Sequence, residues 1–234
     1  MDLSIPVFRE APHACPYIPE RLCSNMRFVL PQADPFFMDL LLEQGFRHFG
    51  DNFFRPACPD CQACVGIRVP ISTFRANTSQ RRCLKKNSDL VIDSGPVIVD
   101  DERLDLLNRF QIARWIDKDW GLIEYTAEQY MSSFSWVGQV TQEVTVRNAE
   151  GTLVAVGIVD FAQTTASATY HYHDPLEARR GLGTWLLLKE IDLLQKMRLQ
   201  YLYLGLWNGE CKSLDYKKRY QPFEMLYADL WVAE

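Results

Sequence analysis

No apolar run in the chain approaches the ~20 residues that a membrane-crossing helix requires, so no bilayer span and no membrane partner is expected. The opening Met1-Asp2-Leu3-Ser4 lacks the basic and apolar regions of a secretory leader, which makes the cytoplasm the expected location. Cysteine is not paired up: seven in 234 residues is an odd number, which argues against a disulfide framework and for reduced thiols. Repeats and low-complexity tracts are missing, which removes solenoids and disordered arms. Overall positive charge is missing too, with 25 Lys and Arg against 30 Asp and Glu, a net of −5. What remains is a globular composition, 47% hydrophobic and 24% charged, long enough for one large domain or two small ones.

The charge is unevenly spread. Between Phe46 and Lys86 eight basic residues (Arg47, Arg55, Arg68, Arg75, Arg81, Arg82, Lys85, Lys86) face two acidic ones, a local net of +6 that leaves −11 for the rest. Such asymmetry suits a protein that neutralises phosphates on one face and stays soluble through the other.

Pro6, Pro12, Pro16 and Pro19 fragment the first ~30 residues, which read as loop-like. A short helix over 35–44 stopped by Gly45, a hairpin around Gly50-Asp51-Asn52, a strand over 65–71 and a cationic helix over 78–87 capped by Thr78 or Ser79 follow. Composition changes at Asp93-Ser94-Gly95-Pro96, which divides the chain into a Cys-rich basic segment, 1–95, and a second domain, 96–234. The second opens with two amphipathic helices, the first with Leu104, Leu107, Phe110, Ile112 and Trp115 as its core face. Three strands come next (142–147, 153–161, 166–172), then a long helix over 181–197, a strand at 201–205, a short helix near 211–220 and a last strand over 224–231. That order is the α+β arrangement of GNAT-type acetyltransferases, in which an acyl donor enters where two strands splay apart. A smaller Cys-containing N-terminal domain precedes it.

Five segments carry chemistry. Cys58, Cys61 and Cys64 stand at two-residue intervals, three soft ligands on one loop that suit an iron–sulfur cluster or zinc, with Cys15 as the best fourth ligand and Cys23 next; plain reduced thiols are the alternative. Arg81/Lys85 and Arg82/Lys86 are like-charge pairs one helical turn apart, a cost of a few tenths of a kcal/mol each that a bound anion would relieve. Gly181-Leu182-Gly183-Thr184 starts a helix and offers N–H groups to an anion, but Ala178 stands where the acetyl-CoA pyrophosphate pattern needs Arg or Gln. Asp174, at a strand end in Tyr170-His171-Tyr172-His173-Asp174, is placed to orient or deprotonate an amine or to cap the next turn. His171 and His173 share a strand face without a third ligand nearby. Tyr216, Lys217 and Arg219 mix aromatic and basic character suited to a terminal adenosine.

Cys15-Pro16-Tyr17, Gly45-Phe46-Arg47, Phe54-Arg55-Pro56 with Cys58, Cys61, Ala63 and Cys64, Ser79-Gln80-Arg81-Arg82, Asp174-Pro175, Leu182-Gly183-Thr184, Tyr203-Leu204-Gly205, and Tyr216-Lys217 with Pro222 and Glu224 occur in order over nearly the whole chain. Together they resemble the protein arginyltransferase family, including its short bacterial leucyl-transferring branch. Arg47-His48-Phe49-Gly50 and Leu206-Trp207 depart from the usual Arg-Arg-Ser-Gly and Tyr-Trp. The resemblance implies transfer of an aminoacyl group from a charged tRNA to proteins with N-terminal Asp or Glu, marking them as N-degrons, with leucine donated in the short forms and arginine in eukaryotic relatives. No cofactor is needed for the transfer itself.

The expected roles follow. Asp174, Gly183, Thr184 and Tyr203 serve catalysis; Arg47, Arg55, Tyr172 and Glu224 hold the acceptor; Ser79, Gln80, Arg81, Arg82, Lys85, Lys86, Tyr216, Lys217 and Arg219 hold tRNA. An acetyl-CoA-dependent N-acetyltransferase, or a non-catalytic metal-cluster RNA-binding module, would fit one half of the chain each.

Overall fold

The computed structural model describes residues 5–32, 34–118, 123–135 and 140–234. Met1–Ser4, on which the expectation about a secretory leader rests, lies outside them. In chain order the strands and helices are β1 (Phe8–Arg9), β2 (His13–Ala14), β3 (Leu22–Cys23), β4 (Asn25–Val29), α1 (Pro35–Glu43), β5 (Arg47–Phe49), β6 (Asn52–Pro56), β7 (Val65–Pro70), α2 (Thr78–Lys86), β8 (Val91–Pro96), α3 (Asp101–Lys118), α4 (Ala127–Phe134), β9 (Thr141–Arg147), β10 (Leu153–Phe161), β11 (Thr165–His173), α5 (Leu182–Met197), β12 (Tyr201–Trp207), β13 (Glu224–Tyr227) and β14 (Leu230–Ala233). Two 3₁₀ segments, Pro175–Arg180 and Lys212–Arg219, flank α5 and β12.

An eight-stranded sheet ordered β14-β13-β7-β12-β11-β10-β9-β8 forms the centre. α5 and α2 cover one face with Trp185, Leu186 and Ile191; α3 and α4 cover the other with Leu106, Leu107, Tyr130 and Phe134. β10 is buried from both sides: Val154 and Val159 join the first cluster, Val156 and Ile158 the second. This is the α+β acetyltransferase-type order expected. A four-stranded sheet, β1-β4-β6-β5, packs on α1 as a third cluster around Phe28, Met38, Leu42 and Phe53.

Several local expectations change. The Pro-rich start is not all loop, because two-residue strands fit between prolines and β4 pairs with both β1 and β6. α2 is capped by Asn77, in a reciprocal capping box with Gln80, rather than by Thr78 or Ser79. Ile112 and Trp115 are 46% and 44% exposed, while Leu106 is fully buried in their stead. The last strand is a hairpin, β13 and β14, turned at Ala228 and Asp229. Residues 95 and 96 end β8 inside the large sheet, and β7 lies between β12 and β13, so the two halves of the chain share one sheet.

Long-range polar contacts tie the sheets together. Arg68 on β7 reaches Glu43 of α1, Tyr203 of β12 and Glu224 of β13, with its guanidinium 3.8 Å from the Tyr201 ring centroid and 4.3 Å from that of Trp231. His48 on β5 meets Asp160 on β10 at 2.9 Å, and Thr141 and Thr169 also donate to that carboxylate. Burial by itself would lower the His48 pKa, but Asp160 outweighs it and raises it.

Candidate active site

β11 and β12 pair in parallel only through Thr165–Ser167 and Tyr201–Tyr203, then diverge. Beyond Tyr203, β12 bulges at Leu204 and Gly205 before resuming its register with β7 at Leu206. Gly205 has φ +78°, a left-handed conformation that favours glycine. The diverging strands leave a cavity of about 280 Å³.

Three cationic side chains, Arg47, Arg114 and Lys217, line this seam cavity, and among the described residues lining it there is no carboxylate. Arg47 reaches Tyr17, yet its Nε is sealed from solvent without a hydrogen-bond partner. Lys217 is 6% exposed, its Nζ donates to the Leu206 carbonyl at 2.5 Å, and burial, with Arg47 nearby, pushes its pKa down to about 7. A Cβ on Gly205 would stand 3.5 Å from Arg47 and 3.7 Å from the Lys217 Nζ, so the glycine sits between the two cations. Concentrated, desolvated positive charge at a strand opening is a receptor for an anion.

The expected catalytic residues lie elsewhere. Asp174 caps the 3₁₀ turn by accepting the Leu176 N–H at 2.9 Å and pairs with Arg109 at 2.9 Å, and it does not line the seam. Gly183 packs on the His173 ring, and Thr184 is bonded to Tyr220. The carbonyls of the glycine turn are covered by α2: Lys86 donates to Arg179, Asn87 and Cys83 to Arg180. Tyr203 donates to Glu43 and accepts from Arg68, so it and Glu224 belong to the Arg68 network. Tyr172 is fully buried, bonded to the Tyr130 hydroxyl at 2.7 Å. Arg55 contacts the Gln44 carbonyl and Asp229. Of the residues expected to hold the acceptor, only Arg47 stands in the seam.

The residues expected to hold tRNA divide. Arg82 and Lys85 project from α2 into solvent, whereas Arg81 folds back onto the Ala76 carbonyl and Thr78. Gln80 is buried and donates to the Arg219 carbonyl at 3.0 Å. A second cavity, about 680 Å³, runs between α2 and the Lys212–Arg219 segment, lined by Ser79, Gln80, Lys218 and Arg219; Tyr216 lines both it and the seam. Lys217 is the one basic residue of this set that is buried. A three-residue period of Leu214, Lys217 and Tyr220 was the available signal, since 3₁₀ geometry eclipses positions i and i+3.

A third cavity, about 720 Å³, gathers Cys15, Cys23, Cys58, Cys61 and Cys64 and touches the seam through Tyr17 and Arg47. Arg21 donates to Cys61 and Asn208 to Cys64, each at 3.3 Å, and the His13 ring lies 3.2 Å from Cys23. The donor chemistry suits a soft metal, but among the described residues no three His, Cys, Asp or Glu side chains stand as a metal-holding group. No step of the reaction is therefore routed through one.

The model for the N terminus of arginine-tRNA-protein transferases matches residues 13–82, and that for their C terminus matches 102–227. The aspartate/glutamate leucyltransferase of Saccharophagus degradans is 36% identical over 228 residues, covering 97% of this chain and 95% of that protein. The one from Teredinibacter turnerae is 34% identical, covering 97% and 93%. Among solved structures, FemX matches with a TM-score of 0.53 at 9% identity, covering 79% of this chain and 64% of that one, a likeness of fold. Matched at both ends and along nearly its full length, the chain belongs to the arginine-tRNA-protein transferase family.

Proposed function

We propose that this protein transfers leucine from leucyl-tRNA to the α-amino group of proteins whose N-terminal residue is Asp or Glu, creating an N-degron, in the cytoplasm where charged tRNA is found. The observation that carries the reading is the seam cavity, with Arg47 and Lys217 flanking Gly205 and no carboxylate in its described lining. An acidic N-terminal side chain supplies the missing charge. Names of full-length relatives supply the donor: both are aspartate/glutamate leucyltransferases.

The ester of a charged tRNA is already activated, so the protein's task is to bring two substrates together and stabilise the oxyanion. The Asp or Glu carboxylate sits between Arg47 and Lys217, which presents the neighbouring α-amine to the open seam. The tRNA end runs from exposed Arg82 and Lys85 along the α2 cavity to Tyr216, the residue common to both cavities. The bulge at Leu204 and Gly205, which lines the seam, is where backbone N–H groups meet the tetrahedral oxyanion.

The test is transfer of labelled leucine or arginine from charged tRNA to peptides beginning with Asp, Glu or Ala. Leucine on the Asp and Glu peptides alone is expected. Equal labelling of the Ala peptide overturns the carboxylate site, and arginine in place of leucine overturns the donor.

A further inference from the structure

One polar pair at the seam has no part in this account. His171 on β11 lines the cavity, and its Nε2 lies 2.8 and 3.1 Å from the two carboxylate oxygens of Glu190 on α5. Glu190 is 1% exposed, and the imidazole is its single hydrogen-bond partner among the described residues. Room for the pair comes from Gly157 on β10, where a Cβ would stand 2.4 Å from Glu190 Oε1 and 3.1 Å from the His171 ring. A carboxylate in the core is costly unless paired. This one is paired with a ring that reaches a cavity, 17% exposed, rather than with one sealed beside it.

The hydrogen bond fixes the ring. With Nε2–H donated to Glu190, the basic lone pair is on Nδ1, which makes no hydrogen bond to any described residue. A base oriented by a buried carboxylate and open to a reaction site is the arrangement that general-base chemistry uses on unrelated folds. Arg47 from β5, Arg114 from α3 and Lys217 from the 3₁₀ segment all line the cavity; Tyr17, Tyr170, Tyr216 and the His48–Asp160 pair complete its titratable surroundings, with His173 two residues along β11.

We infer that His171 is the catalytic proton acceptor of the transfer and Glu190 its positioning residue, an inference that rests on the aminoacyl transfer proposed above. The amine lone pair attacks the ester carbonyl, forming the C–N bond, and the nitrogen's proton passes to Nδ1. Collapse of the tetrahedral intermediate breaks the C–O bond, and the departing ribose oxygen takes that proton from the imidazolium. Charge and protons balance over the cycle.

The experiment compares wild type, His171→Gln, His171→Ala and Glu190→Gln in leucine transfer to an Asp peptide between pH 5.5 and 9. Loss of a general base lowers kcat by about 10²- to 10³-fold. The expected pattern is that loss in H171Q with KM for the peptide little changed, partial recovery of H171A by added imidazole, and an acid limb moved to lower pH in E190Q, because the imidazolium has lost its counter-charge. Turnover of H171Q within threefold of an active wild type overturns this inference and leaves the transfer standing. A raised KM with unchanged kcat, making His171 a binding group, overturns it as well. Wild type that transfers nothing overturns both readings. Should H171Q not fold, the E190Q pH limb decides: an unmoved limb refutes the pair.

Discussion

The thiol cavity and the seam cavity touch at Tyr17 and Arg47, and their polar groups are handled in opposite ways. In the thiol cavity polar groups find partners within the protein: Arg21 serves Cys61, Asn208 serves Cys64, and Arg55 meets Asp229. In the seam cavity cationic side chains converge and the described lining holds no carboxylate. The first region satisfies itself and keeps a shape. The second carries an electrostatic cost in the free protein, one that the proposed acceptor carboxylate would remove.

The largest effect expected from this difference lies in the pH dependence of stability. Lys217 has a folded pKa near 7, below its ordinary value of 10.5. Between those values the unfolded chain holds the proton more readily, so stability rises as pH climbs from 7 toward 10.5, and the full penalty is present below 7. The window is worth roughly 4–5 kcal/mol. Lys217→Met should flatten that rise and melt higher than wild type at pH 6.5. Parallel melting curves for the two proteins across pH 6–10 would break the contrast between the cavities.

Next comes recognition. Truncating one member of a buried charge pair costs ~2–5 kcal/mol, so K217M should lower kcat/KM toward Asp peptides by about 10²- to 10³-fold. Cys61→Ser, on the self-satisfied side, should stay within about threefold, as surface changes usually do. Comparable losses in the two variants would mean that the thiol cavity takes part in turnover. Binding itself gives a check free of chemistry: a carboxylate beside Lys217 raises its pKa, so Asp-peptide binding near pH 8 should take up protons, seen as a buffer-dependent enthalpy in calorimetry.

Much of this was legible in the sequence where the causes were local. The hairpin at Gly50-Asp51, the α5 core of Leu182, Leu186, Ile191 and Leu194, and the fold class all follow from turn chemistry and periodicity. Arg47, singled out for its guanidinium chemistry, does line the seam. What was not legible depends on contacts far apart in the chain. β7 enters the C-terminal sheet, Arg68 joins Tyr203, expected in catalysis, and Glu224, expected to hold the acceptor, in one network, and Arg109 pairs with Asp174. Lys217 reads as a surface cation until the 3₁₀ segment turns it inward, and no local pattern joins His171 to Glu190, nineteen residues on.

A smaller effect lies outside the seam. Arg82 is exposed on α2, whereas Arg81 folds back onto the Ala76 carbonyl. Arg82→Glu should weaken tRNA binding by about tenfold and reduce the salt slope by about 1, the loss of a phosphate contact. K217M, buried, should leave that slope nearly unchanged. Equal slopes in all three proteins would remove α2 from the donor path and leave the seam without an approach for its ester.

The smallest effect tests the quiet side of the comparison. Cys61 has a lowered pKa because the Ala63 N–H and the Arg21 guanidinium both favour its thiolate, while burial pushes Cys23 up to about 11. Thiolate is the reactive form, so alkylation should reach Cys61 well before Cys23. Arg21→Ala should slow the Cys61 reaction about threefold, a modest change because the guanidinium is exposed and screened. Site-resolved mass spectrometry of a timed iodoacetamide reaction reads both. If Cys23 reacts first, the local pairings assigned to the thiol cavity are wrong, and its thiols are as open to an outside partner as the seam is.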